Sequence, residues 1–348
     1  MKTAIELAES GWLPDAVLRA GIRAMVSRRR RHMSKRAAGM PGTLQMNRDF
    51  AKALEHDPIA VHTQAANDQH YEVPAAFFER ALGPRLKYSS CYYPEPETTL
   101  AEAEDAMLAL MCKRARMADG MDVLELGCGW GSLTLWMAQQ YPASTITAVS
   151  NSAPQRAFIE GRAAAQGLRN VRVLTQDMND FEAPGSYDRI VSVEMFEHLR
   201  NWPRMFERLA SWLRPEGLVF LHVFCHREQP YLYEDNGSGD WMARHFFTGG
   251  MMPSHDLPHH VDGHLQVEEK WKVDGTHYAR TANDWLVNVD RQRGLLMPVL
   301  ADTYGPAEAR RWLHRWRLFF MGCAELFGHR NGQEWWVSHH LLRHRVRP

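Results

Sequence analysis

The sequence predicts an α/β fold: a mostly parallel sheet covered by helices, with a helical segment before it and a cap or lid insertion after it. Three observations predict it. Short apolar or β-branched runs alternate with helical patterns between residues 118 and 225, the βαβ rhythm of a parallel sheet. A glycine-rich turn, GCGWG at 127–131, follows the first of those runs. The regularity breaks after Phe224, where residues 226–280 are rich in His, Gly, Pro and aromatics. That stretch is too long for a plain connection, so a lid or insertion is expected there.

Composition narrows the class. The 348 residues carry 41 basic and 41 acidic side chains, with 45% hydrophobic and 24% charged residues. Those are globular values and exclude a disordered or collagen-like chain. A formal charge of zero argues against a nucleic-acid partner, which needs a basic face. The five cysteines are scattered, with no CxxC pair. Neither a disulfide framework nor a zinc knuckle is implied, so a reducing, cytoplasmic compartment is expected. No signal peptide or transmembrane run is read, since Glu6, Glu9 and Asp15 interrupt the first apolar stretch.

The elements follow in order. A helical stretch from about Leu13 to Val26 leads into the basic run Arg28–Arg36. That run reads as a solvated helix end, or as a patch for anionic membrane or nucleic acid, or as a targeting signal. Apolar residues at helical spacing predict a helix from Leu100 to Arg116. Strands are predicted at 123–126, 144–150, 171–174, 188–193 and 218–224, with helices at 132–140, 153–166 and 203–213. Helical patterns resume at 282–302 and 306–327, and a last strand is expected at 334–342, with His339 and His340 facing solvent or an interface. Three regions result: an N-terminal helical segment at 1–117, a core carrying the glycine turn at 118–225, and a lid with returning C-terminal helices and a strand at 226–348.

Two motifs carry the chemistry. In the first, Glu125, Gly127, Gly129 and Gly131 lie between a strand and a helix. Glycines there let the backbone turn tightly and approach a ligand. The spacing E-x-G-x-G-x-G differs from the dinucleotide fingerprint. A carboxylate beside the turn suits a cationic ligand better than a pyrophosphate, and S-adenosylmethionine (SAM) is cationic. Asn151 lies at the tip of the next strand, where a ribose would sit, and Asp177 follows the third strand, either near an adenine or as a turn or cap residue. The second motif, Glu194, Glu197 and His198, follows the strand at 188–193. It faces the crevice at the carboxyl ends of the strands, or it is an ordinary helix start with acids in its first turn.

VLELGCGWGSLTLWMAQQYP, ITAVSNS, VSVEMFEH, ARHFFTGGMMPS, HYARTANDWL and ELFGHRNGQEWW together resemble the coclaurine N-methyltransferase group of the cyclopropane-fatty-acyl-phospholipid synthase superfamily. GWLPDAV near the N-terminus, QHYEVPAAFF and LKYSSCYY also fall where that group has matching segments. The resemblance implies a Rossmann-like class I SAM-dependent methyltransferase core, with a mostly parallel seven-stranded sheet and a helical cap. It adds a cofactor-closing part to the segment at 1–117, where Tyr88 and Ser89 would close over the methionine part of SAM, and a substrate-cap role to 226–348. Gly127 and Gly129 would lie under the cofactor, Asn151 and Gln155 near the adenosine, and Asp177 with Met178 beside the adenine. It assigns Glu194, Glu197 and His198 to the substrate amine. The lipid-modifying branch has a small residue in place of Glu194, and binds bicarbonate through a cysteine, a Glu, a His and a Tyr. This chain matches with Glu197, His222 and Tyr278, but has Ser90 where the cysteine belongs and Cys91 one position on.

The implied reaction is methyl transfer from SAM to a small-molecule amine, leaving S-adenosylhomocysteine; the alternative is an acyl-chain or phospholipid substrate. No metal is expected. His222, Phe246, Phe247, Tyr278, Phe319, Phe320, Phe327 and Trp335 are expected around the substrate, with core packing as the competing role. His255, His259, His260 and His264 match no zinc spacing and read as a polar lid segment. Further expected partners are an anionic membrane surface, through Arg28–Arg36, and a second copy of the chain as a homodimer.

Overall fold

A computed structural model describes residues 2–37, 42–61, 73–234, 241–261 and 263–345. Gln69, His70, Tyr71 and Glu72 of QHYEVPAAFF lie outside the described residues.

The N-terminal segment forms α1 (Lys2–Glu9), α2 (Asp15–Ala37), α3 (Thr43–Ala53), α4 (Ala75–Ala81) and α5 (Leu100–Arg114). The basic run is the last part of α2, where a cation favours the helix dipole. α5 opens on a reciprocal cap: Thr99 Oγ1 accepts from Glu102 N–H, and the Glu102 carboxylate accepts from Thr99 N–H.

The core alternates as the sequence predicts. It runs β1 (Asp122–Leu126), α6 (Ser132–Gln140), β2 (Thr145–Ser150), α7 (Ala153–Ala165), β3 (Val171–Thr175), β4 (Tyr187–Val193), α8 (Trp202–Trp212) and β5 (Leu213–His226). Ser152 caps α7 with Pro154 in its first turn, and Asn201 caps α8 by accepting from Arg204 N–H at 2.9 Å. Beyond β5, the short strands β6 (Tyr231–Leu232) and β7 (Met251–Met252) pair across α9 (Trp241–His245). The chain ends in β8 (Leu265–Val273), α10 (Gly275–Arg291), α11 (Arg293–Tyr304), α12 (Ala309–Phe327) and β9 (Trp335–His344).

One seven-stranded sheet has the order β3-β2-β1-β4-β5-β9-β8. β1 to β5 are parallel, and β9 and β8 add antiparallel. β5 is covered on both faces, which explains why its residues are buried without a break from Gly217 to His226, apolar except for His222 and the terminal His226.

Three expectations need correction. β8 falls within the expected lid at 226–280, but it is the edge strand of the main sheet. Its exposed residues are Lys270 and Lys272, charges that blunt an edge and, with the bulge between Val267 and Glu269, hide the strand's period. The helical pattern at 282–302 is two helices meeting at Gln292. His339 and His340 are fully buried rather than solvent-facing, because both faces of β9 are covered, by Arg114 of α5 over His339 and by His255 and His259 over His340.

The cap is built from both ends of the chain. Arg19 of α2 donates to Glu325 of α12 at 2.9 Å and to Asn283 of α10 at 2.7 Å. Arg317 of α12 donates to Asp15 of α2 at 2.7 Å and to Asp290 at 2.6 Å. Trp316, fully buried, packs against Phe77 of α4 and Phe246. These helices roof the carboxyl ends of β1, β4 and β5.

Candidate active site

Two neighbouring cavities that share lining residues open at those strand ends. The first, about 100 Å³, lies between the glycine turn and the aromatic roof. The second, about 70 Å³, lies over the tips of β2 and β3. Both are lined by Gly127, Gly129, Gln155 and His198. Gly127 has φ +76°, and a Cβ on it would sit 2.7 Å from Met195 Cβ. Gly129 has φ +51°, and a Cβ there would project into open space. The chain therefore keeps a bare backbone surface facing the cavities.

The residues expected at the cofactor divide between the cavities. Tyr88, Ser89, Glu125 and the two glycines line the first, and Asn151 and Met178 line the second. Asp177 lines neither; its carboxylate accepts from Asn179 N–H at 2.8 Å, the turn role. Glu125 is buried and accepts from Thr134 Oγ1 at 2.5 Å. Burial pushes its carboxyl up to about 8, with the Thr134 bond opposing.

Among the residues expected at the substrate, Phe247, Tyr278 and Phe319 line the first cavity. Phe246, Phe320, Phe327 and Trp335 do not, and this corrects their expected position. Phe246 stacks behind Phe319 with centroids 4.2 Å apart, and Phe327 behind Tyr278 at 4.3 Å. Phe320 packs on Trp285, and Trp335 on His226. Residues that sequence reasoning passed over include Lys87, Trp130 and Trp285 in the first cavity, and Gln176 in the second. Lys87 carried a readable signal, a lone cation in an otherwise apolar and hydroxyl run, LKYSS.

The E-x-x-E-H motif turns out of β4 into a short 3₁₀ turn at Phe196–His198. Glu194 sits at φ +48°, a left-handed conformation that a non-glycine residue adopts at a cost. Its carboxylate collects three donors from three elements. Oε1 accepts from Ser90 N–H at 2.9 Å and lies 3.1 Å from His222 Nε2; Oε2 accepts from Tyr278 OH at 2.6 Å. Burial raises the Glu194 pKa above the usual carboxylate range, and the Lys87 ammonium opposes that rise. Lys87 is itself buried, donating to Ser89 Oγ and Ser90 O at 2.5 and 2.7 Å.

His198 lines both cavities, with its ring stacked on Phe247 at 5.7 Å. Glu197 lines neither. Its Oε1 accepts from Phe224 N–H at 2.6 Å, and its Oε2 is buried without a protein partner. Burial, then the neighbouring Glu194 charge, holds the Glu197 carboxyl well above the usual range. His222 lies behind Glu194 rather than in the cavity wall. The histidines at 255–264 form no metal cluster: among the described residues, no group of three or more His, Cys, Asp or Glu could hold an ion.

The site thus offers a glycine cradle, a carboxylate beside it, polar groups for a nucleoside, and an adjoining aromatic chamber with a carboxylate and an imidazole. These features fit SAM, and with the sheet order they define a class I SAM-dependent methyltransferase. A family model described as mycolic acid cyclopropane synthetase matches residues 60–336, and the chain belongs to that family. The (S)-coclaurine N-methyltransferase of Thalictrum flavum subsp. glaucum is 37% identical over 339 residues, 96% of this chain and 93% of that one. The cyclopropane-fatty-acyl-phospholipid synthase of Escherichia coli (strain K12) is 31% identical over 273 residues, 77% of this chain and 66% of that one. A crystal structure of coclaurine N-methyltransferase bound to N-methylheliamine and SAH superposes with a TM-score of 0.93 at 33% identity, covering 98% of this chain and 99% of that one.

Proposed function

We propose that this chain transfers the methyl group of SAM to the nitrogen of a small alkyl or aromatic amine by in-line displacement. One observation carries the reading: the Glu194 carboxylate stands in the wall of an aromatic chamber that adjoins the glycine cradle. The relatives named for N-methylation support it.

When bound, SAM supplies a methyl group already activated on a sulfonium, so the protein's work is alignment, desolvation and proton removal. An alkylamine arrives as an ammonium, which cannot attack. Glu194 attracts it and orients it. Phe247, Tyr278, Trp285 and Phe319 exclude water and offer ring faces to the cation. His198, which lines both cavities, accepts the proton and leaves a free lone pair on nitrogen. Glu197 positions it, tying the 3₁₀ turn to β5 through Phe224 N–H. Glu125 faces the cationic end of the cofactor, and Asn151, Gln155, Gln176 and Met178 face its nucleoside.

The acyl-chain alternative is weaker on two counts. Ser90 stands where the lipid branch has its cysteine. The His and Tyr that resemblance directs at bicarbonate are already engaged by Glu194. In the same reading, the helices of residues 1–117 and 226–348 act as one cap over the core at 118–225, whose sheet β9 and β8 complete. Among the described residues no helix is long and apolar enough to cross a membrane. All five cysteines are unpaired and buried, which supports a reducing cytoplasm as the working compartment.

Incubation with SAM against separate pools of amines and unsaturated phospholipids, read by mass spectrometry, tests the proposal. An amine should gain one methyl; modification of phospholipid alone would overturn it. His198→Ala should lower kcat by roughly 10²-fold or more with SAM affinity unchanged.

A further inference from the structure

We propose that Arg114, outside the substrate cavity, is a positioning residue for methyl transfer: it polarises a buried hydrogen-bond chain through His339 and His222 that ends as a donor to Glu194. The inference rests on the reading of Glu194 as the carboxylate that faces the amine.

Three links form the chain. Arg114 Nη1 lies 2.7 Å from His339 Nδ1. His339 Nε2 lies 2.9 Å from His222 Nδ1. His222 Nε2 lies 3.1 Å from Glu194 Oε1. Sheet register brings the rings together: His222 of β5 is directly opposite His339 of β9, which is opposite Trp271 of β8. Arg114, in the last turn of α5, lays its guanidinium over the Trp271 ring, 5.1 Å from the centroid, and points into this row.

The direction of the chain follows from elementary hydrogen bonding. A guanidinium only donates and does not lose its proton in proteins, whereas a neutral imidazole has one donor and one acceptor nitrogen. His339 Nδ1 must therefore accept, so its proton is on Nε2. His222 Nδ1 accepts that proton's bond, so its own proton is on Nε2 and points at Glu194. Both rings are fully buried, and burial holds both well below the usual histidine range, so they are neutral. One obligate donor at the far end thus fixes both tautomers.

Without it the rings could reverse. His222 would then turn a lone pair toward Glu194 Oε1, which favours a protonated Glu194 and removes the charge that meets the amine. The other groups acting on that carboxylate remain: Lys87 and Cys91 on the 86–91 loop, Glu197 and His198 on its own turn, Tyr278 on α10 and Cys323 on α12.

The test uses full-length protein with S-adenosylhomocysteine bound and ring-¹⁵N histidine, the signals assigned by His222→Gln and His339→Gln. Wild type should show both rings as the neutral Nε2–H tautomer. Arg114→Met should shift one or both toward Nδ1–H, and Arg114→Lys, which keeps an obligate donor, should restore the wild-type pattern. The acid limb of kcat/KM should rise by about one pH unit in Arg114→Met and return in Arg114→Lys. Unchanged tautomers in Arg114→Met overturn the chain itself. Reversed tautomers with an unmoved acid limb overturn the catalytic role through Glu194 while leaving the chain standing, so the two failures are told apart.

Discussion

Glu194→Gln is the sharpest test of how the chamber binds its substrate. The carboxylate accepts from Ser90 N–H and His222 on one oxygen and from Tyr278 OH on the other. An amide can keep its carbonyl toward the first two and turn its NH₂ toward Tyr278, whose hydroxyl accepts as well as donates. Packing is therefore nearly unchanged, and what is lost is one negative charge. At about 4 Å and an effective dielectric near 20, a unit pair is worth at most ~4 kcal/mol. The ammonium gives up water to reach it, so the net is closer to that of a hydrogen bond to a charged group, about 1.5–3 kcal/mol. The expected loss in kcat/KM is roughly 10- to 150-fold. The pH dependence carries a sign. Burial raises the Glu194 pKa, so wild-type kcat/KM falls as pH drops through that raised value, and this limb should vanish in the variant. The assay is kcat/KM for amine methylation across pH, with SAM affinity measured separately by calorimetry. A variant within about threefold of wild type at every pH, with unchanged SAM affinity, would refute the assignment.

Three further outcomes are expected. Burial holds Glu125 near 8 against an ordinary 4.5, so its contribution to stability without ligand is full below the ordinary value and is lost as pH rises toward 8. Glu125→Gln should raise the unliganded Tm at pH 8, and SAM binding to wild type at neutral pH should release a proton, read as buffer-dependent heat; buffer-independent heat would remove Glu125 from the cation. Gly129→Ala should lower stability by about 1–2 kcal/mol, from its left-handed backbone, and weaken SAM roughly tenfold or more, because its methyl enters open space over the cradle; undiminished SAM affinity would refute the cradle. Glu197→Ala orphans Phe224 N–H at about 1–3 kcal/mol and should lose over tenfold in turnover, while Glu197→Gln, which keeps an acceptor, should stay within about threefold. Equal losses in the two Glu197 variants would make Glu197 the base.

Legibility in the sequence followed the range of each interaction. The βαβ alternation, the turn at 127–131 and the cluster at 194–198 are local, so a short window contains their whole cause. β8 was not legible, because an edge strand buries little beyond Leu265 and Val273 at its ends. The aromatic roof was half legible. Spacing can say that Phe246 and Phe247 lie near the chamber, but their neighbours decide which ring faces it: Phe246 stacks on Phe319 while Phe247 meets His198. The row Arg114, His339 and His222 left no mark on the sequence. Its members come from one helix and two strands, and only the β5–β9 register aligns the two histidines.

Glu194 also bears on how one family scaffold serves different acceptors. Ser90 N–H, His222 and Tyr278 make a nest of donors, an arrangement that suits an anionic group. The carboxylate that fills it belongs to a residue with a left-handed backbone, Glu194, a strain of about 1–2 kcal/mol. The return is a negative charge that cannot diffuse away and whose distance from the chamber is set by the chain. A neutral alkene gains nothing from a permanent charge at that wall. An ammonium gains both attraction and orientation, so the strained glutamate makes physical sense for a cationic substrate and little for an acyl chain.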